Sequence, residues 1–106
     1  MVTFEEFKKL DLRVAEVKEV KDHPNADKLL LLKIDVGGEA KQIVAGIRKN
    51  YPKESLLGRK IVVVNNLAPA NVRGEVSSGM LLAAATGDDV VILVPEKDVP
   101  AGSPVR

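Results

Sequence analysis

Cysteine is absent from the chain, and histidine occurs once, at position 23. Without thiols there is no disulfide framework, no thiolate zinc site and no cysteine nucleophile. A lone imidazole supplies neither a histidine-rich metal site nor a paired nucleophile. No run of about 18 apolar residues occurs, so no segment is long enough to cross a membrane as a helix. The N-terminus, MVTFEEFKKL, lacks the apolar core of a secretory signal. These absences predict a cytoplasmic, soluble domain with no catalytic residues, no metal ligands and no cofactor. Aromatic residues are also scarce, at 3% (Phe4, Phe7 and Tyr51). A surface that stacks unpaired bases on aromatic rings needs several exposed rings, so that binding mode is disfavoured.

What is present fits one folded domain. The chain has 106 residues, 45% of them hydrophobic and 29% charged. Its formal net charge is only +1, but the charge is unevenly spread. Residues 41–75 carry Lys41, Arg48, Lys49, Lys53, Arg59, Lys60 and Arg73 against Glu54 and Glu75, a local excess of +5. The segments on either side are net acidic. A basic middle between acidic flanks suits a face for a polyanion; it also suits ordinary solvated charge.

The order of elements is legible. Thr3-Phe-Glu-Glu6 has the form of a capping box, and Phe4, Phe7 and Leu10 fall at helical spacing, which predicts a short amphipathic helix over 3–10. Strands are expected at 12–20, 29–36 and 41–46, with a bulge near Glu16-Val17 and a hairpin turn at Gly37-Gly38. A short helix over 52–57 follows, with Gly58 just past its end. Further strands are expected at 61–65 and 80–85, separated by a loop over 66–75. Thr86-Gly-Asp-Asp89 turns the chain into a sixth extended segment, 90–94, and the proline-rich tail reads as an ordered meander. Three strands, a short helix and two strands is the order of an oligonucleotide/oligosaccharide-binding (OB-fold) barrel. The competitor is a generic small β-sandwich. The expected class is therefore all-β with short helices: a five-stranded OB-fold barrel over about 11–85, with a C-terminal extension, 86–106.

Most conspicuous residues have ordinary explanations. His23, before Pro24, reads as a turn residue bonding locally. Asp27, Asp35, Asp88 and Asp89 occupy turns and strand edges and show no pairing across a cleft. Gly37, Gly38 and Gly46 lack the Lys-Ser/Thr of a phosphate-binding loop. The informative stretch runs from Asn65 to Met80. Its three amides, two hydroxyls and one guanidinium can hydrogen-bond phosphate and ribose, and in this barrel order the loop borders the ligand face. Long irregular loops are uncommon unless they are functional or mobile.

Four ordered motifs carry a family resemblance: Asp11-Leu-Arg-Val14, His23-Pro-Asn-Ala-Asp-Lys-Leu29, Gln42-Ile-Val-Ala-Gly46, and Asn66-Leu-x-Pro-x-x-x-Arg-Gly74 followed by Ser77-x-Gly-Met80. Together they resemble the structure-specific tRNA-binding domain, which occurs as the C-terminal region or detached beta subunit of methionyl-tRNA synthetase and in free-standing tRNA-binding proteins. The likeness runs from about Val2 to the C-terminus. It implies a non-catalytic, cytoplasmic OB-fold module that grips the outer corner of tRNA by shape. It also implies a homodimer built through the N-terminal region and residues 86–106, and a synthetase catalytic chain as a possible partner. The matching positions imply binding roles for Lys28, Asn66, Arg73, Ser77 and Met80. Arg13 matches too and can instead pair with a carboxylate such as Asp11. Met80 can equally be core filler. Lys49 joins the set as part of the basic face.

The chain departs from the family pattern in places. Ala68 and Asn71 stand where the family usually carries basic residues, Ser78 replaces a common Gln, Ala15 a Gly, and Leu30 stands near a usual Tyr or Val. Fewer cations weaken the electrostatic term, so weak, sequence-independent binding is expected. A related branch of this fold resembles a secretion chaperone that binds unfolded peptides, which makes a protein-interaction role the alternative.

Overall fold

The structure is a computed structural model that describes residues 1–106. Its elements, in chain order, are α1 (Phe4–Phe7), β1 (Leu12–Asp22), β2 (Leu30–Asp35), β3 (Ala40–Ala45), α2 (Lys53–Leu56), β4 (Lys60–Val64), β5 (Ala70–Val72), β6 (Glu75–Ser77), β7 (Met80–Leu81), β8 (Ala83–Thr86), β9 (Asp89–Ile92) and β10 (Pro104–Val105). The main sheet runs β3-β2-β1-β4-β7, all antiparallel, with β10 also on β1. This is the expected OB-like barrel, nearly closed.

β1 is the strand on which the barrel turns. Its first half, Leu12 to Glu16, pairs with β4, and Glu16 to Asp22 pairs with β2. The register with β2 shifts between Val17 and Glu19. The bulge falls where the apolar/polar alternation slips in the sequence. An extra residue there increases twist and bends the strand, so that one strand serves two walls.

The walls enclose one apolar core. Val17, Leu30, Leu32, Ile34, Ile43, Ile47, Leu56, Ile61 and Val63 are its largest fully buried side chains. They alternate along β2, β3 and β4, as inward faces of strands must. Between β3 and the chain that leads through β6 to β7, closure is made by a few specific bonds. Val44 N–H donates to Ser77 Oγ (2.9 Å), Ser78 N–H donates to the Gln42 carbonyl (2.9 Å), and Gln42 Nε2 donates to the Val76 carbonyl (3.0 Å).

Three expected elements differ. Residues 66–75 do not form an irregular loop: β5 and β6 make a small hairpin around Arg73-Gly74. The strand expected over 80–85 is divided at Leu82. β7 pairs with β4, whereas β8 pairs with β9, because Leu82 N–H donates to Val62 O and Leu82 O accepts from Leu93 N–H. The N-terminal helix extends only over Phe4–Phe7, although its capping box is complete. Phe4 is 70% exposed, so no tertiary burial supports further turns.

The tail returns to the barrel. Gly102 N–H donates to Val14 O (2.7 Å) and Val14 N–H to Ser103 O (2.9 Å), which leads into β10. Gly102 lies against Gly37, where a Cβ would come within 2.8 Å of the Gly37 Cα. Ile92 of the hairpin that spans 83–92 belongs to the core.

Candidate nucleic-acid interface

Two loops meet at one end of the barrel: the turn after β1 and the β5–β6 hairpin. His23 is 3% exposed. Its Nδ1 accepts the Asn25 N–H (2.9 Å), which places the ring hydrogen on Nε2, and Nε2 donates to the Val72 carbonyl (2.8 Å). Asn25 continues the junction. Its Nδ2 donates to Arg73 O (3.3 Å), and an Arg73 guanidinium nitrogen donates back to Asn25 O (3.2 Å). His23 thus bonds locally, as its sequence context suggests, and also across 49 residues.

The hairpin turn is strained at one place. Arg73 has φ 55° and Gly74 φ 97°. Arg73 is the chain's one non-glycine residue with positive φ. Two successive positive φ values match a type I′ turn, in which Asn-Gly is preferred. Asn71 Oδ1 accepts the Gly74 N–H (2.9 Å) and steadies it.

Beside this junction runs a groove. Lys28, Gly46, Lys49, Asn50, Asp88 and Val90 line a depression of about 360 Å³. An adjoining apolar depression of about 290 Å³ is lined by Val44–Ile47, Met80–Ala83 and Val90. The two share Gly46 and Val90, so Lys28, Lys49 and Met80 come together around one groove. Met80 is 46% exposed there and is not core filler. Neither Lys28 nor Lys49 forms an ion pair, since the seven ion pairs of the structure involve other residues. Arg73, on the β5–β6 hairpin, lines neither depression and is bonded to Asn25 of the turn that leads to Lys28.

Other residues singled out from the sequence lie elsewhere. Ser77 is 8% exposed, and its hydroxyl accepts from Val44 N–H while donating to Gly79 O (2.9 Å). Asn66 is held by the chain leaving α1: its Oδ1 accepts Asp11 N–H (2.8 Å) and its Nδ2 donates to Lys9 O (2.7 Å). Arg13 donates to Asp11 Oδ1 (2.7 Å) and to Gly102 O (3.0 Å). Asp11 is the centre of that cluster. The amide of Asn65 first, then the guanidinium of Arg13, hold its carboxyl below the usual carboxylate range.

The basic middle of the chain is also redistributed by folding. Arg48 and Lys53 share Asp22, Lys41 pairs with Glu39, and Lys60 pairs with Asp98. Lys49, Arg59 and Arg73 are left without a carboxylate partner. Sequence reasoning missed Asn25 as a bridging residue, and the signal available was its place in the His-Pro-Asn turn. It also passed over Lys33, which with Lys41, Gln42, Val76 and Ser78 borders a separate depression on the β2–β3 face. No three His, Asp or Glu side chains come together as a metal site would need, and no helix is long and apolar enough to cross a membrane.

Comparison with known proteins fits this geometry. Residues 12–104 match the family model described as "Putative tRNA binding domain". The chain is 53% identical over 105 residues to the methionine–tRNA ligase of Pyrococcus furiosus, covering 99% of this chain and 14% of that protein. It is 46% identical over 108 residues to the same-named protein of Clostridium tetani, covering 99% and 17%. The chain therefore spans about one-sixth or less of the length of these relatives. Among solved structures it superposes on a MetRS related protein from Pyrococcus horikoshii with a TM-score of 0.93 and 36% identity, covering 100% of this chain and 98% of that one. It superposes on the chaperone CsaA from Bacillus anthracis with a TM-score of 0.91 and 36% identity, covering 100% and 99%. With nearly its whole length matched by the family model and by relatives of this identity, the chain belongs to the tRNA-binding domain family.

Proposed function

We propose that this domain is a non-catalytic module that grips the outer corner of folded tRNA and acts beside a methionyl-tRNA synthetase, as an appended domain or a beta subunit in the cytoplasm. The observation that carries the reading is the pair of adjoining depressions lined by Lys28 and Lys49, both free of ion pairs, and by Met80, with Arg73 bonded to Asn25 in the same β1–β2 turn that carries Lys28. Unpaired lysines and an arginine bind phosphates without reading sequence. Met80 supplies an apolar contact for a ribose or a base edge. Arg13, Asn66 and Ser77 act in this scheme through the fold, by holding the tail, the N-terminal segment and the barrel seam. Holding tRNA near a catalytic chain raises its effective concentration there. Filter retention of mixed tRNAs across a salt series tests the reading. Retention that falls with salt is expected, with Arg73→Ala weakening all tRNAs alike. Absence of salt-dependent retention by the unaltered domain contradicts it.

The same module is proposed to act as a homodimer. Phe4, Phe7 and Leu10 are exposed beside Pro104 and Val105, around a depression of about 450 Å³. Pairing two copies would cover these side chains. Sedimentation should give a dimer that Phe4→Ser/Phe7→Ser converts to monomer. A monomeric unaltered domain removes this part of the reading.

A second reading has an observation of its own. The groove's apolar half, with exposed Met80, suits an unfolded peptide, and two of the superposing structures are described as CsaA chaperones. Pull-down of a denatured protein in competition with tRNA separates the readings. tRNA that displaces nothing, while client is retained, favours the second.

A further inference from the structure

We infer that His23 is a positioning residue whose imidazole pins the β5–β6 hairpin to the β1–β2 turn, so that Lys28 and Arg73 are presented to RNA as one preformed clamp. The inference rests on the tRNA-binding reading and extends it to a residue that touches no ligand.

The geometry is that of a pin. The ring is 3% exposed, and each nitrogen is used once, Nδ1 within its own turn and Nε2 on the carbonyl of Val72. Val72 is the residue immediately before Arg73. The hairpin's other attachments near the turn are longer: two solvent-exposed bonds between Asn25 and Arg73, of 3.3 and 3.2 Å, and one from Gln42 Nε2 to Glu75 Oε1, of 3.3 Å. Farther from the turn, Gln42 Nε2 also donates to Val76 O, and Ser77 Oγ at the base of the hairpin accepts from Val44 N–H. Each strand of the hairpin has only three residues, and two-stranded hairpins are marginal without outside contacts. The bond to Val72 O is the shortest of these and comes from a buried side chain, so it is the attachment best placed to fix the tip. Fixing it in advance removes an ordering cost that binding would otherwise carry. It also sets the separation between Arg73 and Lys28, five residues along from His23.

The two nitrogens can be tested separately. In His23→Asn the side-chain oxygen can still accept the Asn25 N–H in an Asx turn, but nothing reaches Val72. In His23→Gln the longer amide can donate to Val72 O as Nε2 does. Hydrogen exchange of the amides of residues 70–77 reads the pin without RNA. Exchange there should quicken in His23→Asn and slow again in His23→Gln, with core amides of β2 unchanged in both. tRNA affinity should fall about three- to tenfold in His23→Asn, the effect of losing one preorganising bond, and recover in His23→Gln. The slope of log affinity against log salt should stay as in the unaltered domain, because the cations that meet phosphate are the same. Unchanged hairpin exchange in His23→Asn overturns the inference. So does loss of core protection in both variants, which would make His23 a packing residue, or a reduced salt slope in His23→Asn, which would make it a direct contact. If the unaltered domain binds no tRNA, the functional reading falls, and the exchange measurement still decides whether the pin exists.

Discussion

Arg73 occupies a backbone conformation that asparagine or glycine adopts at lower cost. At φ 55° a long side chain with a Cβ is disfavoured, and residues kept there often serve a site. Its guanidinium makes one exposed bond, to Asn25 O, which is a small return in stability. Arg73→Asn should therefore leave the melting temperature unchanged or raise it, while weakening tRNA binding; thermal melts and filter binding on one preparation check this. A lower melting temperature with intact binding would mean that the arginine serves the fold. Asp11 has the opposite character. Its carboxyl is held below its ordinary range by Asn65 and Arg13, so its contribution is complete above the unfolded carboxylate pKa and is lost as pH falls through the lowered folded value. Asp11→Asn should lower the melting temperature at neutral pH, and the gap to the unaltered domain should close below about pH 4. A gap that is constant with pH would remove the charge from the explanation. The sequence makes the Arg13–Asp11 pairing legible because the residues are two apart on one strand edge. It cannot show that Asn65, Asn66 and Gly102 converge on the same place, since they lie 54 or more residues away.

The elements that were legible are those with a long enough pattern. β1, β2 and β3 each run six residues or more and are rich in apolar residues, and buried positions alternate along β2 and the end of β3. The bulge in β1 is visible as a break in that alternation. The β5–β6 hairpin is invisible for the converse reason: three-residue strands carry no period, and Arg-Gly replaces the usual Asn-Gly signal at the turn. The Ser77-x-Gly-Met80 motif divides into two jobs on inspection of the barrel seam. Ser77 gives the Val44 N–H a partner, and Gly79, at φ 153°, passes where a Cβ would come within 3.0 Å of Val64 O. Only Met80 emerges into the groove. Ser77→Ala leaves a donor of β3 unpaired in a partly buried seam, which should cost about 1–3 kcal/mol in urea unfolding. A loss under about 0.5 kcal/mol would mean that water replaces the hydroxyl at no cost.

For the whole molecule, the near-neutral charge and the scarcity of rings cease to argue against RNA. Folding brings acids from both flanks onto Lys41, Arg48, Lys53 and Lys60, and leaves Lys49, Arg59 and Arg73 unpaired. Lys28, from the net-acidic first segment, joins Lys49 at one groove. Segment charge therefore does not tell which cations stay unpaired, because ion pairing is decided by the fold. A clamp of this kind suits a folded, rigid polyanion better than a flexible strand, since its cations are held at fixed separations. The decisive measurement is the affinity of the domain, across a salt series, for folded tRNA and for an unstructured RNA of equal length, with Lys28→Ala/Lys49→Ala alongside. Tighter binding of the folded tRNA is expected, with a slope against log salt that the double variant reduces by about two. Equal affinity for both RNAs, or a slope that the double variant leaves unchanged, would contradict recognition of folded tRNA through this groove.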